Sequence, residues 1–274
     1  MAVVELSRDP RPSTVRAALG LLARRRGDTV PDVELVRRGV GVDRDHLAAY
    51  DRVCGFRLSD ELPPTYPHVL AFPLALRLLT APDFPFAAIG LIHVANRITV
   101  RRPLTAGMSL DLAVRATGPR PHERGRQVDV VTTATVDGED VWTGVSTYLS
   151  RSRDSRSGAP GERPEHGAPV ASAVWRLPAR VGPDYAGVSG DRNPIHTSRI
   201  GARLFGFPRP IAHGMWSAAR CLAALEGRLP GSCTVDVRFR RPILLPATVS
   251  FAHADGAFQL FGEKPHLAGH VSAA

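Results

Sequence analysis

The chain has 274 residues, 43% of them hydrophobic, with 3 cysteines and a net charge of +9. This is enough apolar chain for one large or two modest cored domains and too much for a disordered protein; the scattered Cys54, Cys221 and Cys233 exclude a disulfide framework and point to a reducing, cytoplasmic setting. No apolar run approaches the ~20 residues of a membrane helix, and the positive charge is dispersed arginine, with Lys264 the sole lysine and no zinc-finger, recognition-helix or aromatic RNA-binding pattern beside it, which argues against nucleic acid.

In chain order, a helix is predicted over residues 14–25, with Val15, Ala18, Leu19 and Leu22 on one face. A second, over residues 43–53, brings Leu47, Tyr50 and Val53 together, and an apolar run from Pro67-His68 to residue 79 follows. Alternating stretches at residues 92–103, 109–114, 128–136 and 140–149 read as half-buried strands. Residues 151–169 are rich in Arg, Ser, Gly and Pro, with two alanines as their apolar content; such a segment cannot bury a face and reads as an exposed linker. An alanine-rich helix over residues 216–225 begins after Gly214, and strands follow at residues 234–242, 248–253, 256–262 and 266–272. Strands are expected in sequence-adjacent order, and helices combined with meandering strands predict the α+β class.

The chain reads as a duplication of residues 1–150 and 170–274. Tyr50-Asp-Arg-Val-Cys-Gly55 parallels Tyr185-Ala-Gly-Val-Ser-Gly190; Pro67-His68 leads an apolar run as Ala212-His213 does; and both Ile92 to Pro103 and Thr234 to Pro242 close on Arg-Arg-Pro. The copies differ between the first and second landmarks. Tyr50 to His68 is 18 residues, whereas Tyr185 to His213 is 28, and the surplus carries the stretch Asp191-Arg192-Asn193-Pro194-Ile195-His196. The first copy offers only Asp60 and Glu61 there, which read as surface loop residues.

Asn193-Pro194 disfavours helix before the proline and fixes its φ, so a tight turn is predicted between Asp191 and His196. Two readings of that turn stand side by side. Asp191 and Asn193 cap backbone amides in an Asx-type turn with His196 on the surface, or the carboxylate and imidazole face one pocket as general base and acid. Gly214, at a helix start, is either a packing glycine or an N–H donor that lets a bulky group approach. Asp191, His196 and His213 are too irregularly spaced for a standard zinc pattern and have no cysteine beside them, so no metal is expected and His213 is read as a hydrogen-bonded structural residue.

The run Tyr185-Ala-Gly-Val-Ser-Gly-Asp-Arg-Asn-Pro-Ile-His196, then Ala202 and Pro210-Ile-Ala-His-Gly-Met215, resembles the signature of the MaoC-like, (R)-specific enoyl-thioester hydratases, the match extending over residues 185–225. The resemblance implies a double hot-dog fold, each repeat a long helix on an antiparallel sheet. It implies a degenerate first repeat that shapes the acyl pocket and reversible dehydration of (3R)-hydroxyacyl thioesters without a cofactor. Asp191 and His196 take the family's catalytic positions and Gly214 its thioester-oxygen donor, with Ser189, Asn193 and His213 in support. The partner implied is an acyl-CoA or acyl carrier protein thioester, whose phosphates suit a basic surface, and the chain is expected as a monomeric pseudo-dimer or a homodimer. An acyl-thioesterase and a non-catalytic acyl-thioester-binding or assembly subunit are the alternatives.

Overall fold

The computed structural model describes residues 1–7, 28–88, 90–151 and 170–274. The helix expected over residues 14–25 and all but the first residue of the expected linker lie outside the described residues. The chain forms two compact units, one from Met1–Val40, Ala71–Asn96 and Ser109–Ala168, the other from Gly41–Leu70, Arg97–Met108 and Pro169–Ala274. These units interleave along the chain and do not follow the two sequence halves.

In the first unit the strands are β1 (Ala2–Glu5), β2 (Val33–Val40), β3 (Leu91–Val100), β4 (Leu110–His122), β5 (Gly125–Val136) and β6 (Glu139–Arg151), of which β3 begins here. Their order is β1-β2-β4-β5-β6-β3. The β2–β4, β4–β5 and β5–β6 pairs are antiparallel, and β1 adds to β2 in parallel. Leu110, Leu112 and Val114 are fully buried at alternate positions of β4, and each such side chain contributes about 1.5–3 kcal/mol. Trp142 is fully buried, and its indole occupies the space that a β-carbon on Gly144 would need.

The second unit holds the helices α1 (Arg44–Cys54), α3 (Val181–Ser189), α4 (Pro194–Thr197), α5 (Arg199–Leu204) and α6 (Gly214–Ala224), and the start of α2 (Tyr66–Leu79). Its strands β7 (Ala173–Leu177), β8 (Cys233–Phe239), β9 (Ala247–Ala254), β10 (Ala257–Phe261) and β11 (Pro265–Ala273) run in the order β7-β9-β10-β11-β8, all antiparallel. Leaving β1 aside, this is the same series as in the first unit: first, third, fourth, fifth, second of five strands.

That series corrects the expected sequence-adjacent order at two places, since β3 lies beside β6 and β8 beside β11. The connections explain it. Asp137-Gly138 and Asp255-Gly256 have positive φ at both residues (52° and 84°, 48° and 79°), the requirement of a type I′ turn that folds neighbouring strands back on each other. Residues 101–109 and 240–246 instead begin with Arg-Arg-Pro, and Pro103 and Pro242 have no N–H for a hairpin ladder. Both connections are held by single bridges, Glu61 to Thr105 and Ile211 to Leu244.

The landmark Tyr…Gly runs are two helix ends of the same construction. α1 stops at Gly55 (φ 84°) and α3 at Gly190 (φ 75°), each glycine donating its N–H to the carbonyl four residues back in the left-handed conformation that glycine adopts freely. Tyr50 and Tyr185, one turn earlier, meet with ring centroids 6.3 Å apart. α1 starts at Asp43, whose side chain accepts from the amides of Asp45 and His46. α6 buries Ala218, Ala219 and Leu222, and Trp216 donates its indole N–H to the Val53 carbonyl at 3.0 Å, tying it to α1. Small residues let that helix lie close to its sheet, where it meets β10.

Candidate active site

Between α3 and α4 the backbone is shaped by a ladder of side chains that each accept from the amide two residues on. Ser189 Oγ takes the Asp191 N–H (3.2 Å), Asp191 Oδ1 the Asn193 N–H (3.2 Å), and Asn193 Oδ1 the Ile195 N–H (3.3 Å). Pro194 then opens α4, where its missing N–H costs nothing. The capping reading of the turn is thus realised for Asp191 and Asn193, but its surface histidine is not. His196 is buried, and its Nδ1 lies 2.8 Å from the Ile211 carbonyl oxygen.

This contact sets the chemistry of His196. A carbonyl only accepts, so Nδ1 carries the proton, and in the neutral ring Nε2 is left with a bare lone pair. Burial holds the imidazole below its ordinary pKa, outweighing the opposite pull of the Asp191 carboxylate; the ring is therefore neutral and basic at physiological pH. His213 is fixed in the opposite tautomer. Its Nε2 lies 3.0 Å from the Asp191 main-chain oxygen and 3.8 Å from Asp191 Oδ2, and its buried Nδ1 has no hydrogen-bond partner among the described residues. Burial first, then neighbouring His196, pushes His213 down to about 3. The two imidazoles stack at 3.7 Å between centroids, and the Tyr185 ring lies tilted against His213 at 4.9 Å.

The polar atoms of Asp191, His196 and His213 lie within 4.8 Å of one another, a convergence that the irregular sequence spacing did not disclose. The ring geometry suits proton transfer better than chelation. The imidazoles stack with 25° between planes, and His213 Nε2, which faces the Asp191 main-chain oxygen, carries a proton and so has no lone pair to offer a metal. The Asp191 side chain keeps 32% of its surface exposed beside a His213 at 3%, so one carboxylate oxygen is free to meet a water or hydroxyl.

Gly214 begins α6, where a first-turn N–H has no partner within the helix and carries the positive end of the dipole. A β-carbon there would lie 3.2 Å from the Phe239 ring, which accords with the packing reading of this glycine. A cleft of about 280 Å³ lined by Arg180, Pro183, Thr197, Arg199 and Leu245 reaches His196.

The sequence reading left two groups aside. His68, at the start of α2, is held at about 4 by burial and is close enough to Asp191 to feel its charge; its alignment with His213 in the repeat was the available signal. Asp51, inside α1, is 1% exposed, and neither carboxylate oxygen has a well-formed hydrogen bond among the described residues, although the Ser59 main chain lies close enough to favour the ionised form. Asp60, as expected of a surface residue, is exposed and paired with Arg44 at 3.0 Å.

Residues 158–269 match the family model described as the MaoC like domain. The chain is 43% identical, over 252 residues covering 90% of each sequence, to 3-hydroxyacyl-thioester dehydratase X of Mycobacterium tuberculosis. It superposes on the crystal structure of HtdX from that organism with a TM-score of 0.78 at 39% identity, covering 88% of this chain and 100% of that one. A conserved hypothetical protein of the same organism, described as having a double hot-dog fold, matches at a TM-score of 0.50 and 16% identity over 86% of this chain and 93% of its own.

Proposed function

Because this chain belongs to the MaoC-like dehydratase family and has its double hot-dog fold, we propose that it is a hydro-lyase interconverting (3R)-hydroxyacyl and trans-2-enoyl thioesters, with Asp191 and His196 as its catalytic pair. The supporting observation is the His196 tautomer: a neutral imidazole with Nε2 bare, next to a partly exposed carboxylate.

In the hydration direction, water sits between Asp191 Oδ2 and His196 Nε2, both of which accept from it. Asp191 takes one proton as the water oxygen bonds to C3. The C2–C3 electron pair moves toward the thioester, whose oxygen gains charge in front of the Gly214 N–H, and the proton on Asp191 then passes to C2. One water hydrogen ends on C2, the other stays on the new hydroxyl, and dehydration retraces the same steps. Asp191 is the principal base and His196 its partner. A positioned base is worth ~10²–10⁴ in rate and an oriented donor to the developing oxyanion roughly 10²–10³. Ser189 and Asn193 hold the turn, and His213 anchors the Asp191 main chain.

The substrate is carried as an acyl-CoA or acyl carrier protein thioester, in fatty-acid metabolism. Three free, buried cysteines fit a cytoplasmic setting, and among the described residues no helix is long and apolar enough to cross a membrane. The repeat series fits a pseudo-dimer within one chain, as a monomer or paired into a homodimer. The first half contributes residues 41–70 to the unit that carries Asp191, which fits a supporting role for a copy that lacks the catalytic turn.

The test is turnover of a short enoyl-CoA followed by loss of its conjugated absorbance, with the 3-hydroxy epimers assayed in reverse. Consumption of the (3R) epimer alone is expected. Release of free thiol with the enoyl chromophore intact would instead establish a thioesterase.

A further inference from the structure

The helix that follows the catalytic turn exposes what a short surface helix normally hides. In α5, Ile200 and Leu204 are 74% and 79% exposed, and Phe205, just beyond its end, is 39% exposed. Residues four apart share a helix face, so Ile200 and Leu204 form one apolar stripe and Arg199 and Arg203 a basic stripe beside it. The helix stays anchored through the opposite face, where Gly201 and Ala202 are buried and Gly201 packs so closely on Pro194 that no β-carbon fits.

Along the chain from Arg192 onward the charge is of one sign. Residues 192–209 contain Arg192, Arg199, Arg203 and Arg209 and no acidic residue. All four arginines are exposed, and none forms an ion pair among the described residues, whereas Arg44, Arg97 and Arg120 elsewhere on the surface do. Scattered apolar residues on a surface need no explanation, but an apolar stripe rimmed by uncompensated cations suits a partner with an apolar strip and a negative rim. Nucleic acid does not call for an aliphatic stripe, and coenzyme A, a small polyanion, has little use for an exposed apolar one.

We propose that α5 and its flanks are the docking surface for an acidic carrier protein that brings the acyl group to His196 as a thioester. This rests on the dehydratase reading and adds the carrier class to it. Ile200, Leu204 and Phe205 supply the contact, and Arg199, Arg203 and Arg209 steer the approach and fix its register. His196 lies three residues before Arg199, so a carrier seated on α5 delivers its arm beside the catalytic turn.

The experiment compares Arg203→Glu, and separately Leu204→Ser, with wild type on crotonyl-carrier protein and on crotonyl-pantetheine, which has the same reacting end without the protein. Both positions are exposed and outside the catalytic set. The expected result is a rise in KM of about tenfold for the carrier-bound substrate, strengthening at low salt for Arg203→Glu, with kcat/KM for crotonyl-pantetheine within twofold of wild type. Equal values for variants and wild type on both substrates, or equal losses on both, would overturn the docking surface. So would wild-type self-association abolished by Leu204→Ser, which would make a second copy of the chain the occupant. Failure of wild type on both thioesters would strike the dehydratase reading itself.

Discussion

A β-carbon on Gly182 would run into the carbonyl oxygen of His196. The first turn of α3 and the short helix carrying the His196 imidazole are thus packed backbone to backbone, and the absence of a side chain at residue 182 is what lets His196 sit where it does. Gly182→Ala forces the two segments apart while adding only a methyl group. A displacement of about 1 Å at a reacting group costs on the order of 10²-fold, so a fall in kcat of about 10–100-fold is expected, with a circular dichroism spectrum like that of wild type. Unchanged kcat would show that the position of His196 is not held by this contact.

The His196 tautomer gives the activity a defined pH dependence. Burial lowers its pKa, and the bare Nε2 is lost only when the ring is protonated, so the acid limb of kcat/KM falls below the ordinary imidazole value of about 6.5. A pH–rate profile on an enoyl-CoA measures it. A limb centred at or above 6.5 would contradict the assignment of His196 as a neutral acceptor.

The proposed role of His213 is to act through Asp191. Its Nε2–H bond to the Asp191 carbonyl is lost in His213→Phe, leaving a polar group without its partner at a cost of about 1–3 kcal/mol, and both thermal stability and kcat fall. His213→Gln, whose amide can still donate, recovers part of kcat. Equal activity of the Phe and Gln variants would leave His213 with a packing role alone.

Asp51 carries a different pH signature. Burial, assisted by the charge of Glu226, raises its carboxyl to about 6. The folded state therefore holds this proton more tightly than the unfolded one, so stability falls as pH rises from about 4 to 6 and the cost persists above that. Asp51→Asn removes the ionisation and is expected to stabilise the protein by on the order of 1–2 kcal/mol at pH 8, with little effect at pH 4. Melting curves at the two pH values check it; a destabilisation equal at both would show that the carboxylate has a partner.

The sequence made the architecture legible wherever local chemistry governs. Strand alternation, the Tyr50…Gly55 and Tyr185…Gly190 helix ends and the helix after Gly214 depend on periodicity and capping, and all are present. The strand order was not legible, because whether β3 pairs with β4 or β6 depends on the difference between an Arg-Arg-Pro exit and an Asp-Gly turn, and every strand looked equally able to fold back. β1, β2 and β7 went unread: their sequences AVVE, VELVRRGV and AVWRL set apolar residues side by side and do not alternate strictly. At the site, the motif supplied Asp191 and His196, but the Ile211 carbonyl that fixes the imidazole tautomer is a main-chain atom 15 residues away and leaves no trace in side-chain identity. The same holds for the stacking of His196 on His213, which only the folded path of the chain creates.

The proposed mechanism has the carboxylate of Asp191, beside a neutral His196, drive proton transfer at an enoyl thioester. Its most direct test is kcat for hydration of a short enoyl-CoA by Asp191→Asn, a change that keeps an oxygen for the Asn193 amide and removes the charge. A fall of ~10²–10⁴-fold is expected, with the melting temperature close to that of wild type. Hydration at the wild-type rate by that variant would contradict it.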